Sequence, residues 1–281
     1  MNVSELKKES NPFSFYKTLI TLIIVLVIVQ SWNDTGMNLS FLIDGGKYMH
    51  EYIIGNPDIE NSGFFPPNLK ANVLEVYLLA MLETIQMAVI ALLLSVLIAV
   101  PLSYMSSRNI LDILIPGKTP FHELIKKTMY GIATLIANIF RSINEIIWAL
   151  IFVSAVGLGP MAGILALAIH TAGVLCKLLS EGNEAIDPGP VEALTTTGAG
   201  FIKVLVFAVI PQTMPHFISM VLYRFESDVR SASILGFVGA GGIGFYLFDK
   251  MRSFENGDVC TIIIIIVITV WALDKISSVI R

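Results

Sequence analysis

Charged residues are scarce in this chain of 281 residues, where Asp, Glu, Lys and Arg together make up only 14% of the positions. A soluble domain carries roughly 25%. The chain is also 55% hydrophobic, with a mean hydropathy of +0.76. These values argue against a soluble globular enzyme. They exclude a disordered chain too, because an apolar sequence with a net charge of only −4 has no reason to stay solvated.

Other signatures are missing as well. The two cysteines, Cys176 and Cys260, lie inside apolar runs and provide neither a disulfide framework nor metal-ligand spacing, and the four histidines show no metal spacing either. An isoelectric point near 5.6 argues against a nucleic-acid partner, which requires a basic surface. The chain has no G-x-x-x-x-G-K-S/T segment, the loop that binds nucleotide phosphates. We therefore expect no metal, no cofactor and no catalytic residue on this chain.

The sequence instead has uncharged runs long enough to cross a membrane. About 20 apolar residues span the hydrocarbon core as a helix. The run over 146–176 is too long for one span, and it contains the turn signal Gly157-Leu-Gly-Pro160, so we predict one helix ending near Val156 and another over 161–179. The runs cover residues 18–33, 84–107, 146–176, 204–223, 231–248 and 259–273, and most of them are candidate spans.

The placement of Lys and Arg predicts the orientation of these spans. The first run resembles a secretory signal, but no small-residue cleavage pattern follows it, so we predict an uncleaved first helix and an exposed connection over 33–82. With six spans and the N-terminus inside, eleven of the 18 basic residues lie on the inner side and four on the outer side, which is the positive-inside pattern. Both termini are then cytoplasmic. The inner residues are Lys7, Lys8, Lys17, Arg108, Lys118, Lys126, Lys127, Lys177, Lys203, Lys275 and Arg281, and the outer ones are Lys47, Lys70, Lys250 and Arg252.

The inner segment between the fourth and fifth spans, residues 181–203, has the pattern of a short helix followed by a sharp turn. Asp187 or Gly189 can cap this helix, Pro190 suits its first position, and Glu192 falls in the first turn, where the helix dipole favours an anion. Gly198 suits the C-terminal stop. We predict a short helix, a glycine corner and a second helix that enters the membrane.

Glu192, Ala193, Gly198 and Pro211 also stand at a distinctive spacing. With Glu192-Ala-Leu in place of Glu-Ala-Ala, and Ala208-Val-Ile-Pro211 in place of Ile-x-Leu-Pro, the segment resembles the EAA coupling loop of ABC importer permeases. The resemblance implies that these four residues seat the loop on an ATPase subunit. The alternative is an ordinary loop between two helices.

Further segments are similar to the phosphonate-type permeases among these importers, from about Leu79 to the C-terminus, although Asn144 stands where the family has a proline. The resemblance implies an all-α integral membrane protein with six transmembrane helices and the type I ABC importer permease fold. Residues 1–72 would form the tail, first span and periplasmic connection, and residues 73–281 the permease domain. The matching segments are Arg141-Ser-Ile-Asn-Glu-Ile-Ile-Trp-Ala-Leu150, Val156-Gly-Leu-Gly-Pro160, His170-Thr-Ala-Gly-Val174, Ile186-Asp-Pro-Gly-Pro-Val-Glu-Ala-Leu194 and Gly236-Phe-Val-Gly-Ala-Gly-Gly-Ile-Gly244.

The same resemblance implies partners and a cargo. The permease would work as a homodimer in the lipid of the bacterial cytoplasmic membrane. Two ATP-binding cassette subunits would bind ATP and Mg²⁺, and a periplasmic or lipid-anchored binding protein would deliver phosphonate or a related phosphorus oxyanion, such as phosphite, hypophosphite or phosphate. One alternative is an ATP-independent secondary carrier or channel for small anions, in which intramembrane ion pairs would relay protons or ions. Another is a polytopic membrane enzyme, but no acid, base or metal residues stand at the spacing that it needs.

Charged residues close to the third and fifth spans are the candidates for the substrate path. The resemblance implies one long fifth helix from near Pro211 to about Leu235, which places these charges at membrane depth, where charges usually line an aqueous route. Partners four residues apart can neutralise each other along one helix face, and the predicted pairs are Arg224 with Asp228, Glu226 with Arg230, and Arg141 with Glu145. Arg224 and Arg230 would attract an oxyanion, whereas Glu226 and Asp228 would limit how tightly it is held. The alternative is that all of these charges lie in interfacial loops and only fix the topology. The charged candidates are Arg224, Glu226, Asp228, Arg230, Arg141 and Glu145, and Ser231 is a weaker candidate that could donate a hydrogen bond to the substrate.

A glycine-rich segment follows the fifth span. It satisfies G-x-G-x-x-G, but no strand precedes it, so a dinucleotide site is not expected. We predict instead a tight turn or a closely packed stretch near the outer gate of the transport path. Its glycines are Gly236, Gly239, Gly241, Gly242 and Gly244.

Overall fold

The computed structural model describes residues 15–55, 62–117 and 119–280. All regular secondary structure in these ranges is helical. The chain divides into two compact units, Met1–Ile53 and Ile54–Arg281. Four of the basic residues used to predict the orientation lie outside the described ranges, namely Lys7, Lys8, Lys118 and Arg281.

The first unit contains the predicted first span. Helix α1 covers Phe15–Asp34, and none of its residues is buried. An apolar helix of 20 residues that is exposed all round is suited to lipid. Helix α2 covers Leu39–Ile54, so part of the connection predicted over 33–82 is helical.

The second unit contains ten further α-helices in its described residues. Their order is α3 Ala71–Met105, α4 Arg108–Leu114, α5 Pro120–Ser142, α6 Glu145–Val156, α7 Pro160–Glu184, α8 Pro188–Thr196, α9 Phe201–Val204, α10 Ile210–Leu235, α11 Ile243–Arg252 and α12 Asn256–Ile280. A π-helical turn, Leu205–Val209, joins α9 to α10, and a 3₁₀ turn, Gly236–Val238, follows α10.

Helix α7 lies at the centre of the second unit, where it packs against α3, α5, α6 and α10. Its buried face consists largely of small residues, including Ala162, Ala166 and Ala172. A Cβ atom placed on Gly173 would lie 2.6 Å from the Arg141 backbone nitrogen in α5. Small residues let helix backbones approach closely where lipid provides no hydrophobic driving force between helices, so this face of α7 organises the bundle.

Most of the predicted spans are confirmed. Within the described ranges, five helical segments are long and apolar enough to cross a membrane, or six if the bent pair α5 and α6 is counted as one span. The long run over 146–176 is interrupted as predicted, since α6 ends at Val156 and α7 begins at Pro160. Helix α10 continues to Leu235, in agreement with the resemblance and beyond the end of its charge-free run at Tyr223.

The third span differs from the prediction. Helices α5 and α6 meet at an angle of 89°, and most of α5 lies in a segment that we had assigned to an inner connection. Asn144, which replaces the proline of the phosphonate-type family, caps α6 by accepting a hydrogen bond from the Ile146 backbone N–H at 2.9 Å. Asparagine is among the preferred N-cap residues, so Asn144 starts α6.

Candidate functional site

The coupling segment forms a short helix, α8, that starts two residues earlier than predicted. Asp187 caps it by accepting a hydrogen bond from the Gly189 backbone N–H at 3.0 Å. Pro188, and not Pro190, therefore takes the first position. Glu192 lies in the second turn, and the first turn contains no acidic residue, so our placement of Glu192 beside the helix dipole was wrong.

The C-terminal end of α8 is the predicted glycine corner. The Gly198 N–H donates to the Thr195 carbonyl at 3.0 Å, and the Ala199 N–H donates to the Leu194 carbonyl at 3.3 Å. This pair of bonds is the Schellman motif, which requires a left-handed residue at the position of Gly198. Its φ of 78° meets that requirement. Nothing lies within 4 Å of a Cβ placed there, so backbone conformation alone favours glycine.

Most of helix α8 is exposed in the described chain, while Val191 and Leu194 are half-buried. None of its residues is buried, and Glu192 and Ala193 are both exposed. After the corner, α9 and the π-helical turn lead into Pro211. A proline has no N–H to close a regular α-turn, and its ring collides with the carbonyl four residues earlier, so the widened turn Leu205–Val209 accommodates Pro211. The four predicted coupling residues thus lie in one continuous segment that runs from α8 to the first turn of α10.

The buried pair of charges in α10 forms as predicted. An Arg224 Nη2 atom lies 2.9 Å from Asp228 Oδ1. The Thr171 hydroxyl in α7 donates to the same oxygen at 2.7 Å and accepts from Arg224 at 3.0 Å. Asp228 is 0% exposed and Arg224 9%. This triad links α10 to α7, and the Arg224 Nε and Asp228 Oδ2 atoms are buried without a hydrogen-bond partner in the described structure.

The second pair in α10 also forms, and it faces open space. An Arg230 Nη2 atom lies 2.7 Å from Glu226 Oε1. The Arg230 side chain is 57% exposed and that of Glu226 16%. Two ion pairs of the same spacing on one helix therefore have different environments. Arg230 is accessible to a ligand, whereas Arg224 is held inside the bundle.

The third predicted pair does not form in the described structure. The Arg141 Nε–H donates to the Asn138 side chain at 3.0 Å. Glu145 lies beyond the bend, where it accepts a hydrogen bond from the Ser231 hydroxyl at 2.9 Å and its other oxygen lies 3.5 Å from His170 Nε2. The bend between α5 and α6 separates the two charges, so helical spacing of four residues does not apply to them.

His170 and Thr171 make polar contacts at the site, and neither residue was predicted from the sequence. His170 Nδ1 lies 2.9 Å from the Ile143 carbonyl, at the bend. Both residues belong to a segment that carries the family resemblance, but neither bears a fixed charge, and a charge-based search passed over them. In the described residues, no group of three or more His, Cys, Asp or Glu side chains could hold a metal ion.

The glycine-rich segment forms both a tight turn and a close contact. Positive φ angles occur at Gly239, Gly241 and Gly242. The Ile243 N–H donates to the Thr84 hydroxyl of α3 at 2.8 Å, and the Gly159 N–H donates to the Gly239 carbonyl at 2.9 Å. The loop, residues 236–244, is thus fastened to α3 and to the turn between α6 and α7. A role in an outer gate stays a prediction.

Replacing Gly244 by alanine should destabilise the protein. A Cβ atom on Gly244 would overlap the Ser233 carbonyl oxygen, and overpacking of this kind costs about 1 to 3 kcal/mol. The matched control is Gly131→Ala in α5, where nothing lies within 4 Å of the added Cβ. Thermal unfolding in detergent should give a lower Tm for Gly244→Ala and an unchanged or higher Tm for Gly131→Ala. Equal Tm values for the two variants would contradict the packing assignment.

Comparison with known proteins identifies relatives over most of the second unit. Residues 123–281 match the family described as binding-protein-dependent transport system inner membrane component. The phosphite transport system permease protein PtxC of Stutzerimonas stutzeri is 34% identical over 72% of this chain and 68% of its own length. The phosphate-import permease protein PhnE of Mycolicibacterium smegmatis is 37% identical over 77% of this chain, although the match covers only 38% of that longer protein.

Solved structures show the same fold. A chain from an inward-facing conformation of the MetNI methionine ABC transporter superposes with a TM-score of 0.64 over 75% of this chain and 97% of its own length, at 21% identity. This match confirms the predicted all-α, type I ABC importer permease fold.

Proposed function

The chain belongs to the binding-protein-dependent transport system inner membrane components, and we propose that this ABC importer permease subunit carries phosphonate or a related phosphorus oxyanion. The proposal rests on its identity of 34% to a phosphite permease and 37% to a phosphate permease. Phosphite, hypophosphite and phosphate are the other members of the proposed cargo class. The chain supplies the route through the membrane, and a separate subunit hydrolyses ATP.

We propose that Glu192, Ala193, Gly198 and Pro211 couple this route to ATP hydrolysis. No residue of α8 is buried, and Glu192 and Ala193 are exposed, so this part of the helix is accessible to a cleft of another subunit. ATP and Mg²⁺ would bind in the two ATP-binding cassette subunits. Closure of those subunits would move α8. The segment over residues 198–211 would transmit that movement to α10 as a rigid-body change between two packings.

The proposed assembly contains two copies of this permease, the two ATPase subunits and a periplasmic or lipid-anchored binding protein. Both termini would lie in the cytoplasm of a bacterial cell. This orientation places α8 and the Lys-rich and Arg-rich connections inside, in accordance with the positive-inside rule.

We propose that the open pair of α10 meets the oxyanion. Arg230 offers an exposed guanidinium, which suits the bidentate recognition of phosphorus oxyanions. Its partner Glu226 competes for that guanidinium and so permits release. Ser231 and Glu145 are adjacent polar candidates, since their side chains are hydrogen-bonded to each other at 2.9 Å. Arg224, Asp228 and Arg141 stay candidates for the path, although Arg224 and Asp228 are buried in the bundle.

Reconstitution of the permease with its ATPase and binding protein in lipid vesicles tests the function. We expect ATP-dependent accumulation of labelled phosphite, phosphate or methylphosphonate, and no uptake when the ATPase subunit is left out. Uptake by the permease alone would instead support the secondary carrier or channel. Binding of the three anions to the isolated binding protein identifies the member of the class that is carried.

Replacing Arg230 by glutamine should reduce uptake by about tenfold, since a hydrogen bond to a charged group contributes about 1.5 to 3 kcal/mol. Assembly with the ATPase should be unchanged, because Arg230 lies near the C-terminal end of α10, whereas the coupling helix adjoins the N-terminal end. Lys177→Gln, which removes an exposed basic partner from α7, is the matched control and should retain uptake. Wild-type uptake by Arg230→Gln would contradict its place in the path.

A further inference from the structure

The Gln212 side chain, in the first turn of α10, is hydrogen-bonded to the start of the coupling helix α8. The Gln212 side-chain oxygen accepts a hydrogen bond from the Asp187 backbone N–H at 2.9 Å. The Gln212 side-chain nitrogen donates to the Asp187 carbonyl at 3.4 Å and to the Ala208 carbonyl at 2.9 Å. A single amide therefore satisfies both backbone groups of one residue, 25 positions away in the sequence.

Asp187 is the residue through which α8 begins. Its carboxylate accepts from the Gly189 N–H and caps the helix, while its backbone is held by Gln212. Any displacement of the first turn of α8 is thereby transmitted to the first turn of α10. The contact does not depend on the covalent path through the glycine corner.

The coupling helix is consequently attached to α10 at both ends. Its C-terminal end is connected through Gly198, α9 and the π-helical turn, and its N-terminal end through Asp187 and Gln212. Without the Gln212 contact, the N-terminal end of α8 would be joined only to α7, through residues 185–187, and α8 could tilt at the Gly198 corner without moving α10. A second attachment removes that freedom, so that α8 and the start of α10 move together.

We propose that Gln212 is a positioning residue that locks the coupling helix to α10, so that movement of the ATPase is converted into movement of the transport helix. This inference rests on the proposed coupling role of α8. Gln212 itself does not face the exposed surface of α8, and its side chain is committed to Asp187 and Ala208.

The decisive variant is Gln212→Met, which keeps the length of the side chain and removes all three hydrogen bonds. The full complex in vesicles should hydrolyse ATP at its basal rate but move about tenfold less substrate per ATP, a factor that corresponds to about 1.4 kcal/mol of lost coupling. Co-purification of the ATPase should be unchanged. The matched control is Thr213→Val, because the Thr213 hydroxyl bonds only to carbonyls of its own helical turn, Val209 and Ile210.

A second variant keeps the test decisive if Gln212→Met fails to assemble. Gln212→Glu retains an acceptor for the Asp187 N–H but cannot donate to either carbonyl, so its transport per ATP should lie between that of Gln212→Met and wild type. Wild-type transport per ATP in an assembled Gln212→Met complex, or in Gln212→Glu, would overturn the inference. If Glu192→Lys also leaves coupling intact, the proposed role of α8 itself fails. If Glu192→Lys uncouples and the Gln212 variants do not, only the lock is refuted.

Discussion

Replacing Asp228 by alanine should leave little folded permease in the membrane. The substitution removes the only carboxylate that is paired with Arg224 in the described structure, and Arg224 is 9% exposed. Breaking a buried ion pair by removing one partner costs about 3 to 5 kcal/mol, because the remaining charge stays buried without compensation. A native domain is stable by only about 5 to 15 kcal/mol. The yield of monodisperse protein in detergent and its Tm measure the effect.

The control for this experiment removes both charges. Replacing a buried ion pair by apolar residues of similar size is often neutral or stabilising, so Arg224→Met combined with Asp228→Leu should recover most of the folded protein. Uptake by the recovered double variant then decides the role of the pair. Retained uptake assigns the pair to helix packing, and lost uptake assigns Arg224 to the substrate path. A double variant as unstable as Asp228→Ala would contradict the assignment of the defect to an unpaired charge.

The sequence predicted this pair because both partners lie on one helix. Residues four positions apart are neighbours on any α-helix, so a continuous α10 brings Arg224 to Asp228 and Glu226 to Arg230. The different environments of the two pairs could not be predicted in the same way. They depend on whether α7 covers that face, and the contact with Thr171 joins residues 57 positions apart.

The bend between α5 and α6 was missed for a related reason. A search for uncharged runs excludes α5, which contains Glu123, Lys126 and Lys127 in its first turns. In the folded chain Lys126 lies 2.8 Å from Asp112 of α4, so part of the charge in α5 is neutralised by a neighbouring helix. The predicted pairing of Glu145 with Arg141 was wrong because the spacing rule assumes one straight helix. The chain turns by 89° between Ser142 and Glu145.

The coupling loop was predicted most closely, since caps and corners are local features. The Gly198 corner follows from backbone conformation alone, and the start of α8 was misplaced by only two residues because Pro188 and Pro190 both suit a first position. The contact between Gln212 and Asp187 is long-range, and no spacing pattern in the sequence predicts it. Local sequence thus determines the cap and the glycine corner of α8, whereas tertiary contacts determine how rigidly α8 is joined to α10.

Replacing Glu192 by lysine should uncouple the importer. Glu192 is exposed on α8, and the proposed cleft of the ATPase would surround it when the complex forms. Removing one partner of a buried, hydrogen-bonded charge pair at an interface costs about 2 to 5 kcal/mol. We therefore expect uptake in vesicles to fall by about 30-fold or more, because a tenfold change corresponds to about 1.4 kcal/mol, while the permease itself folds and inserts normally.

Two companion variants separate coupling from a general effect of charge. Asp274→Lys reverses an exposed carboxylate in the last turns of α12, outside the coupling segment, and since exposed charges contribute about 1 kcal/mol or less, uptake should stay near that of wild type. Gly198→Ala leaves the charge of α8 unaltered but imposes strain at a φ of 78°, so it should reduce uptake without preventing insertion. Wild-type uptake by Glu192→Lys, or an equal loss in Asp274→Lys, would show that α8 does not transmit the ATPase movement.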